Sequence, residues 1–349
     1  MTFDEAYPID KQINTEKFLR NVWNGSEKTA YSAYYSEPLY RQLDNIEEII
    51  SKATENILRS SVLPGYNIPR FIADFGTVSI PSYWGGQKYK PLGGCIGIKP
   101  VIENSKDVKK IRPLEPGSGD AEKAAHIWSA VSSNLQTDRL HCTFIDIQGP
   151  LNTAALLWQQ EDFLVAMLTE PEIVHELLEQ VTEHIIQTIK AMIQKIRLIS
   201  GPMWPFIYLP PDIGVGITED YMPLISPELY KEFGIPYLER ISQVFGGIFI
   251  HCCGRYAHHI DNLKKSRINI LGMEFHYPYT MPETLFQAFG SSAIFVPMLG
   301  PHGREKFQDT ADYLLYLKDI RLKETRLWLI LTPEEKDFGK QVEIVDSMM

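Results

Sequence analysis

Short apolar runs alternate with longer stretches of helical periodicity over the second half of the chain. The runs are rich in aliphatic residues and several end in polar groups, which is typical of buried strands. They cover residues 142–149, 247–254, 269–276, 293–300 and 326–332. Between them, apolar residues recur every three or four positions and predict helices over residues 171–198, 226–245, 256–265, 282–289 and 311–321. Repeated strand–helix units of this kind predict a parallel sheet.

The spacing of these units favours an α/β barrel over an open nucleotide-binding sheet. No helix opens with a Gly-x-Gly-x-x-Gly or a Walker loop, so a doubly wound fold lacks support. We therefore predict a (β/α)₈ TIM barrel with an N-terminal helical extension. The chain is interpreted as a single domain of residues 1–349, in which residues 1–70 form the extension and residues 71–349 the barrel with long early loops.

Composition narrows the classes of partner. The 349 residues are 44% hydrophobic and 22% charged, and the formal net charge is -10. The sequence has no cluster of basic residues of the kind that binds nucleic acid, so we expect no nucleic-acid partner. No segment approaches the roughly 20 apolar residues of a membrane span, and the N-terminus lacks the apolar core of a secretion signal. Four cysteines, two of them adjacent, argue against a disulfide framework. We expect a cytoplasmic protein that acts on a small molecule.

One apolar run ends in a histidine and two cysteines, which a buried strand does not require. In "GIFIHCCG", His251 and Cys253 occupy alternate positions, so an extended backbone points both side chains to one face and Cys252 to the other. Imidazole nitrogen and thiolate sulfur are preferred zinc ligands. Barrel active sites lie at the carboxyl ends of the strands, which is where these residues fall. Two ligands do not complete a catalytic zinc site, and the same pair would also fit a hydrogen-bonded core.

Several segments together resemble the uroporphyrinogen decarboxylase superfamily. They are "DIQGPLNTAALL", "EPEIVHELLEQVTEHII", "ISPELYKEFGIPYLERI" and "GIFIHCCG", with weaker support from "ADFGTVSIPSYWGG". The resemblance implies a barrel and two branches of chemistry. The decarboxylase proper has an Arg-Gln-Ala-Gly-Arg motif that is absent here, and the positions of its Tyr and late His hold Leu156 and Glu334. Its early-loop Asp corresponds to Asp74, which we keep as a catalytic candidate.

The zinc-dependent corrinoid methyltransferase branch is the closer match. Its His-x-Cys-Gly ligand motif is present as His251, Cys253 and Gly254. Its third ligand is a late cysteine, and this chain has Glu335 at that position, so the resemblance implies Zn²⁺ held by His251, Cys253 and Glu335. It also implies a corrinoid on a partner protein as a possible reactant, and a possible homodimer. Glu274 and His276, on one face of the next strand, are alternatives for the third ligand, and Glu274 is also a catalytic candidate.

Other polar groups follow predicted strands and could act as acid–base groups or bind substrate. They are Asp146 and Gln148 at one strand end, and Asp212, Glu219 and Asp220 in a predicted strand-to-helix loop. The aromatics Tyr83, Trp84, Tyr89 and Trp204 are candidates for an apolar pocket wall or lid, and core packing fits them equally well. The leading interpretation is a zinc-dependent methyltransferase that moves a methyl group between a small substrate and a corrinoid or thiol. The alternative is a metal-free carboxy-lyase acting on a porphyrinogen or another organic acid, which Arg70 or Arg112 in the cleft would favour.

Overall fold

The structure is a computed structural model that describes residues 1–35, 43, 45–91 and 96–349. Its strands are β1 (Thr29–Ala33), β2 (Arg70–Phe71), β3 (Lys88–Tyr89), β4 (Gly97–Ile98), β5 (His141–Cys142), β6 (Val215–Thr218), β7 (Ile248–Cys252), β8 (Ile270–Tyr277), β9 (Ile294–Leu299) and β10 (Arg326–Leu331). Six of them form one parallel sheet in the order β1-β10-β9-β8-β7-β6. β2 and β5 pair in parallel, whereas β3 and β4 form a small antiparallel pair.

Helices fill the intervals between the strands. They are α1 (Phe3–Ala6), α2 (Ile9–Asn24), α3 (Ile46–Ser61), α4 (Gly119–Asn134), α5 (Pro150–Leu157), α6 (Gln160–Thr169), α7 (Pro171–Lys195), α8 (Pro227–Phe233), α9 (Ile235–Phe245), α10 (Ile260–Lys265), α11 (Pro282–Phe289), α12 (Thr310–Ile320) and α13 (Phe338–Asp346). Short 3₁₀ turns include Pro81–Trp84 and Met222–Leu224. None of the described helices combines the length and apolar character that a bilayer crossing requires.

The strands of the main sheet are mostly buried, with partly exposed positions only in β8, β9 and β10. All residues of β1 and β7 are buried. For β7 this burial on both faces explains the continuous apolar run of residues 248–250 in the sequence. On the helices, burial follows the periodic stripe: Val174, Leu177 and Leu178 of α7 are completely inaccessible to solvent. This packing confirms the predicted α/β class. Closure of the strands into an eight-stranded ring stays a prediction.

Local sequence signals account for several element boundaries. The side chain of Ser226 accepts a hydrogen bond from the backbone N–H of Leu229, and Pro227 occupies the first turn of α8. α8 ends at Phe233 and α9 begins at Ile235, so the predicted break before Pro236 is present. The predicted helix over residues 282–289 has the bounds of α11.

Two elements differ from the sequence prediction. The segment 1–70 is not wholly helical, because β1 lies within it and pairs with β10 at the edge of the main sheet. Its five residues, TAYSA, carry too weak an apolar pattern to be separated from their helical surroundings. Residues 142–149 also form less regular strand than expected. In this segment only Cys142 belongs to a strand, β5, and a parallel bridge from Gln148 to Thr218 attaches the later part to β6.

Candidate metal and substrate site

A cavity of about 400 Å³ opens where the carboxyl ends of the parallel strands meet. This is within the size range of small-molecule sites, and it lies at the end of the sheet that carries active sites in barrel folds. Its polar lining includes Asp74, Asp146, Asp220 and His251. Tyr34, Trp204 and Phe206 supply aromatic wall. Of the four aromatic candidates from the sequence, only Trp204 lines this cavity. Tyr83 and Trp84 pack in the core against His184, and Tyr89 is exposed.

His251, Cys253 and Asp220 converge at one edge of this cavity. Each offers one donor atom, and the three atoms lie within 4.8 Å of one another. The N–H and the thiol of Cys253 both donate to Oδ1 of Asp220, at 3.0 and 3.2 Å. Nε2 of His251 lies 3.8 Å from Oδ2 of Asp220. The imidazole and the thiol thus share one side of the chain, as their alternate spacing predicts, and Cys253 is exposed to solvent while Cys252 is buried.

Strand register brings Asp220 to this position. Thr218 of β6 pairs with His251 of β7, and the N–H of Glu219 donates to the carbonyl of His251 at 2.8 Å. The chain then leaves the sheet, so the next side chain, Asp220, turns toward the end of β7. Glu219 itself points away and is fully buried, and that burial raises the pKa of its carboxyl group to about 8.

Glu274 holds the imidazole of His251 from behind. It is opposite His251 in the register of β8 with β7, and its carboxylate contacts Nδ1 of His251 and lies 2.7 Å from Nε2 of His276. Burial opposes the charge of Glu274, but the two histidines outweigh it and hold its pKa at about 2. Burial likewise opposes a charged His251, yet Glu274 raises the pKa of the imidazole well above its ordinary value. With Nδ1 occupied, Nε2 is the nitrogen presented toward Asp220.

Asp146 lines the cavity from the loop after β5. Oδ2 accepts from the amide of Gln148 at 2.8 Å, and Oδ1 accepts from the hydroxyl of Thr218 at 3.0 Å. Burial raises the pKa of Asp146 to about 6, although these two donors and the charge of His251 lower it in part. Oε1 of the Gln148 side chain accepts in turn from the amide of Asn152 at 2.7 Å. These two residues line a second cavity of about 230 Å³ that shares Asp220 with the first.

Two candidates from the sequence lie elsewhere. Glu335 does not join His251 and Cys253, because its carboxylate accepts from Arg304 at 2.9 Å and from Gln341 at 2.8 Å. The turn after β10 presents Thr332 to the cavity instead. Asp212 is also not part of the site: it precedes β6, at the amino end of the strand, and forms an exposed ion pair with Arg20 at 2.7 Å. The expected third ligand and the expected loop acid are both corrected by these placements.

The remaining sequence candidates fall near the site. Asp74 lines the cavity just after β2, and its Oδ1 accepts from the N–H of Gly76 at 3.0 Å. Glu274 and His276 lie behind His251, with Glu274 fully buried. Asp220 was recognisable as a loop carboxylate, but no sequence spacing relates it to His251. Only the pairing of β6 with β7 identifies it as the third donor.

The site combines a nitrogen, a sulfur and an oxygen donor beside a cavity at the carboxyl end of a parallel sheet. This arrangement defines a candidate metal site in an α/β enzyme-like scaffold.

The Uroporphyrinogen decarboxylase (URO-D) family model matches residues 86–196, and the predicted resemblance to that superfamily is confirmed by this match. A solved methyltransferase from Methanosarcina mazei has a similar fold, with a TM-score of 0.69 at 12% sequence identity over 96% of this chain and 98% of that one. No curated protein matches the chain.

Proposed function

We propose that this protein is a metal-dependent methyltransferase that holds Zn²⁺ with Asp220, His251 and Cys253. In this proposal it moves a methyl group between a small substrate and a thiol or a corrinoid carried by a partner protein. The observation that carries the proposal is the convergence of three donor atoms within 4.8 Å at the edge of the cavity. The fold shared with a methyltransferase from Methanosarcina mazei agrees with it.

The donor set fits zinc. Thiolate, imidazole and carboxylate are all zinc ligands, and catalytic sites combine three protein ligands with one open position. His251 and Asp220 line the cavity, so a reactant bound there would reach that position. When bound, Zn²⁺ would stabilise a thiol as its thiolate or polarise a leaving atom. The contribution of Glu274 would be to fix the orientation of His251, and Asp146 would orient or exchange a proton with the substrate.

The lining of the cavity favours methyl transfer over the metal-free carboxy-lyase. An acid substrate would need a cation to hold its carboxylate, yet no lysine or arginine is among the described residues that line the cavity. Arg70 is 3% exposed and donates to the hydroxyl of Tyr34 and the carbonyl of Ile207. Arg112 is exposed and donates to carbonyls of its own loop.

Metal content tests the proposed function. We expect about one zinc per chain in wild-type protein purified under reducing conditions with zinc present, and affinity reduced more than about 100-fold in Cys253→Ala and Asp220→Ala. Glu335→Ala is the matched control, since that carboxylate contacts Arg304 and Gln341, and it should keep the metal. Wild-type protein that takes up no zinc would refute the proposal. Loss of zinc in Glu335→Ala with retention in Asp220→Ala would restore the ligand set expected from the sequence.

A further inference from the structure

We propose that the cavity binds a methylated ammonium ion, which serves as the methyl donor. The transfer step rests on the function proposed above, whereas the binding does not. In that step the N–CH₃ bond breaks, the electron pair stays on nitrogen, and the methyl carbon forms a bond to the sulfur of a thiolate. A cationic amine and an anionic thiolate thereby become a neutral amine and a neutral thioether.

Three aromatic rings form a wall suited to such a cation. The rings of Trp204 and Phe206 meet edge to face at a centroid distance of 4.7 Å, and those of Tyr34 and Phe206 at 5.7 Å. All three residues line the cavity, and Arg70 lies over the Tyr34 ring at 5.2 Å, so a cation already contacts this aromatic group. A methylated ammonium ion is attracted to the π faces of such rings and carries methyl groups that also gain from apolar contact. The polarizable side chains of Met203 and Met298 extend the same wall.

The charge of the lining has the matching sign. Asp74, Asp146 and Asp220 contribute carboxylates, and His251 is the one basic residue among the described residues of the lining. The buried Glu274 balances His251 when the imidazole is charged. With a dication bound, the Cys253 thiolate and the Asp220 carboxylate would offset its charge. The Asp146 carboxylate accepts hydrogen bonds from the neutral groups of Gln148 and Thr218, which do not cancel its negative charge.

Aromatic faces alone would accept neutral apolar molecules as well, and carboxylates alone would attract hydrated metal ions. The combination selects a cation that is large, weakly hydrated and covered with methyl groups. An organic anion would meet carboxylates without a described lysine or arginine to pair with. The cavity volume of about 400 Å³ accommodates a choline-sized molecule with space for a second reactant near Asp220.

Calorimetric titration at pH 8 tests this inference with a charged and a neutral probe of equal shape. Choline is compared with 3,3-dimethylbutan-1-ol, in which carbon replaces the ammonium nitrogen. We expect choline to bind at least about 10-fold more tightly, because the neutral probe lacks both the cation–π attraction to the rings and the attraction to the carboxylates. Phe206→Leu should weaken choline binding by about 2- to 30-fold and the neutral probe by less. Phe245→Leu, on α9 away from the cavity, is the control and should change neither.

The outcomes separate this inference from the proposed function. Three results would overturn the inference even if zinc binds: equal affinity for the two probes, no choline binding, or tighter binding of benzoate than of choline. Preferential choline binding by wild-type protein that takes up no zinc would uphold the cation site and refute the metal-dependent transfer. Asp146→Asn gives a second measurement: it should weaken choline while leaving the neutral probe unchanged, and an unchanged affinity for choline would count against the charge argument.

Discussion

At the scale of single residues, Glu274 connects the core of the sheet to the candidate metal site. It is fully buried, and both of its oxygens contact histidines, His251 on one side and His276 on the other. A carboxylate behind a ligating imidazole fixes the orientation of the ring and increases its basicity. Its sequence position suggested a third ligand, because it shares a strand face with His276. The structure places it one step further from the cavity.

Replacing Glu274 tests that supporting role. We expect Glu274→Gln to weaken zinc binding by about 10- to 100-fold, since the amide keeps the size of the side chain and loses the charge that orients His251. Competition with a chromophoric chelator measures the change. Glu239→Gln is a matched control, because Glu239 is a largely buried glutamate paired with Arg267 away from the site. Equal zinc affinities for wild type and Glu274→Gln would show that the imidazole needs no support.

At the scale of elements, two close contacts hold the ligand loops in place. A Cβ on Gly254, directly after Cys253, would lie 2.4 Å from the ring of Pro223, so this glycine lets the end of β7 pack against the Met222–Leu224 turn. A Cβ on Gly149 would lie against the carboxyl of Glu219. Both contacts act next to donor residues. The first fixes the loop after β7 against the loop after β6, and the second fixes the start of α5 against the loop after β6.

Helix α7 carries an acid-sensitive contact on the outside of the sheet. His184 is 4% exposed, and its ring packs against Tyr83 at 4.5 Å and Trp84 at 4.9 Å. Burial lowers the pKa of His184 to about 4. An unfolded chain binds a proton at its ordinary pKa of about 6.5, so the unfolded state gains protons first as the pH falls. The contribution of His184 to stability is therefore present above pH 6.5 and is lost progressively toward pH 4.

The acid sensitivity can be measured by urea unfolding. Between pH 7 and pH 4.5 we expect His184 to account for about 2 kcal/mol of the loss in unfolding free energy, from its shift toward 4 at about 1.4 kcal/mol per pKa unit. His184→Gln should lose correspondingly less stability over this interval. His126→Gln, at an exposed position of α4, should behave as wild type. If His184→Gln and wild type lose equal stability, the buried ring is not the cause.

At the scale of the whole molecule, the repeated strand–helix order was predictable because buried parallel strands and amphipathic helices have different periods. The alternation also predicted that His251 and Cys253 share a face. β1 was missed because its small residues lack a strong pattern, and Asp220 was missed as a ligand because register between β6 and β7 is a tertiary property. Glu335 was wrongly expected at the site, since a matching position in sequence does not determine where a turn directs its side chain.

Zinc bound between the ends of β6 and β7 should stabilise the whole domain. Metal present at about 1,000 times its dissociation constant adds about 4 kcal/mol to the unfolding free energy, which corresponds to roughly 5 °C for a chain of this length. We expect a chelator to lower the melting temperature of wild-type protein by about that amount and to leave Cys253→Ala unchanged. Scanning calorimetry measures both. An equal decrease in the two proteins would indicate that the chelator acts elsewhere.

The exposure of Cys253 has a consequence for handling the protein. Its sulfur faces solvent while Cys252 is enclosed, so in the absence of a coordinated ion peroxide and air would reach this thiol first among the three described cysteines. Conversion to the sulfinic form would remove a soft donor irreversibly and leave the rest of the fold intact. A sample prepared aerobically would then appear unable to bind zinc. The oxidation state of Cys253 should therefore be measured by mass spectrometry alongside every zinc titration.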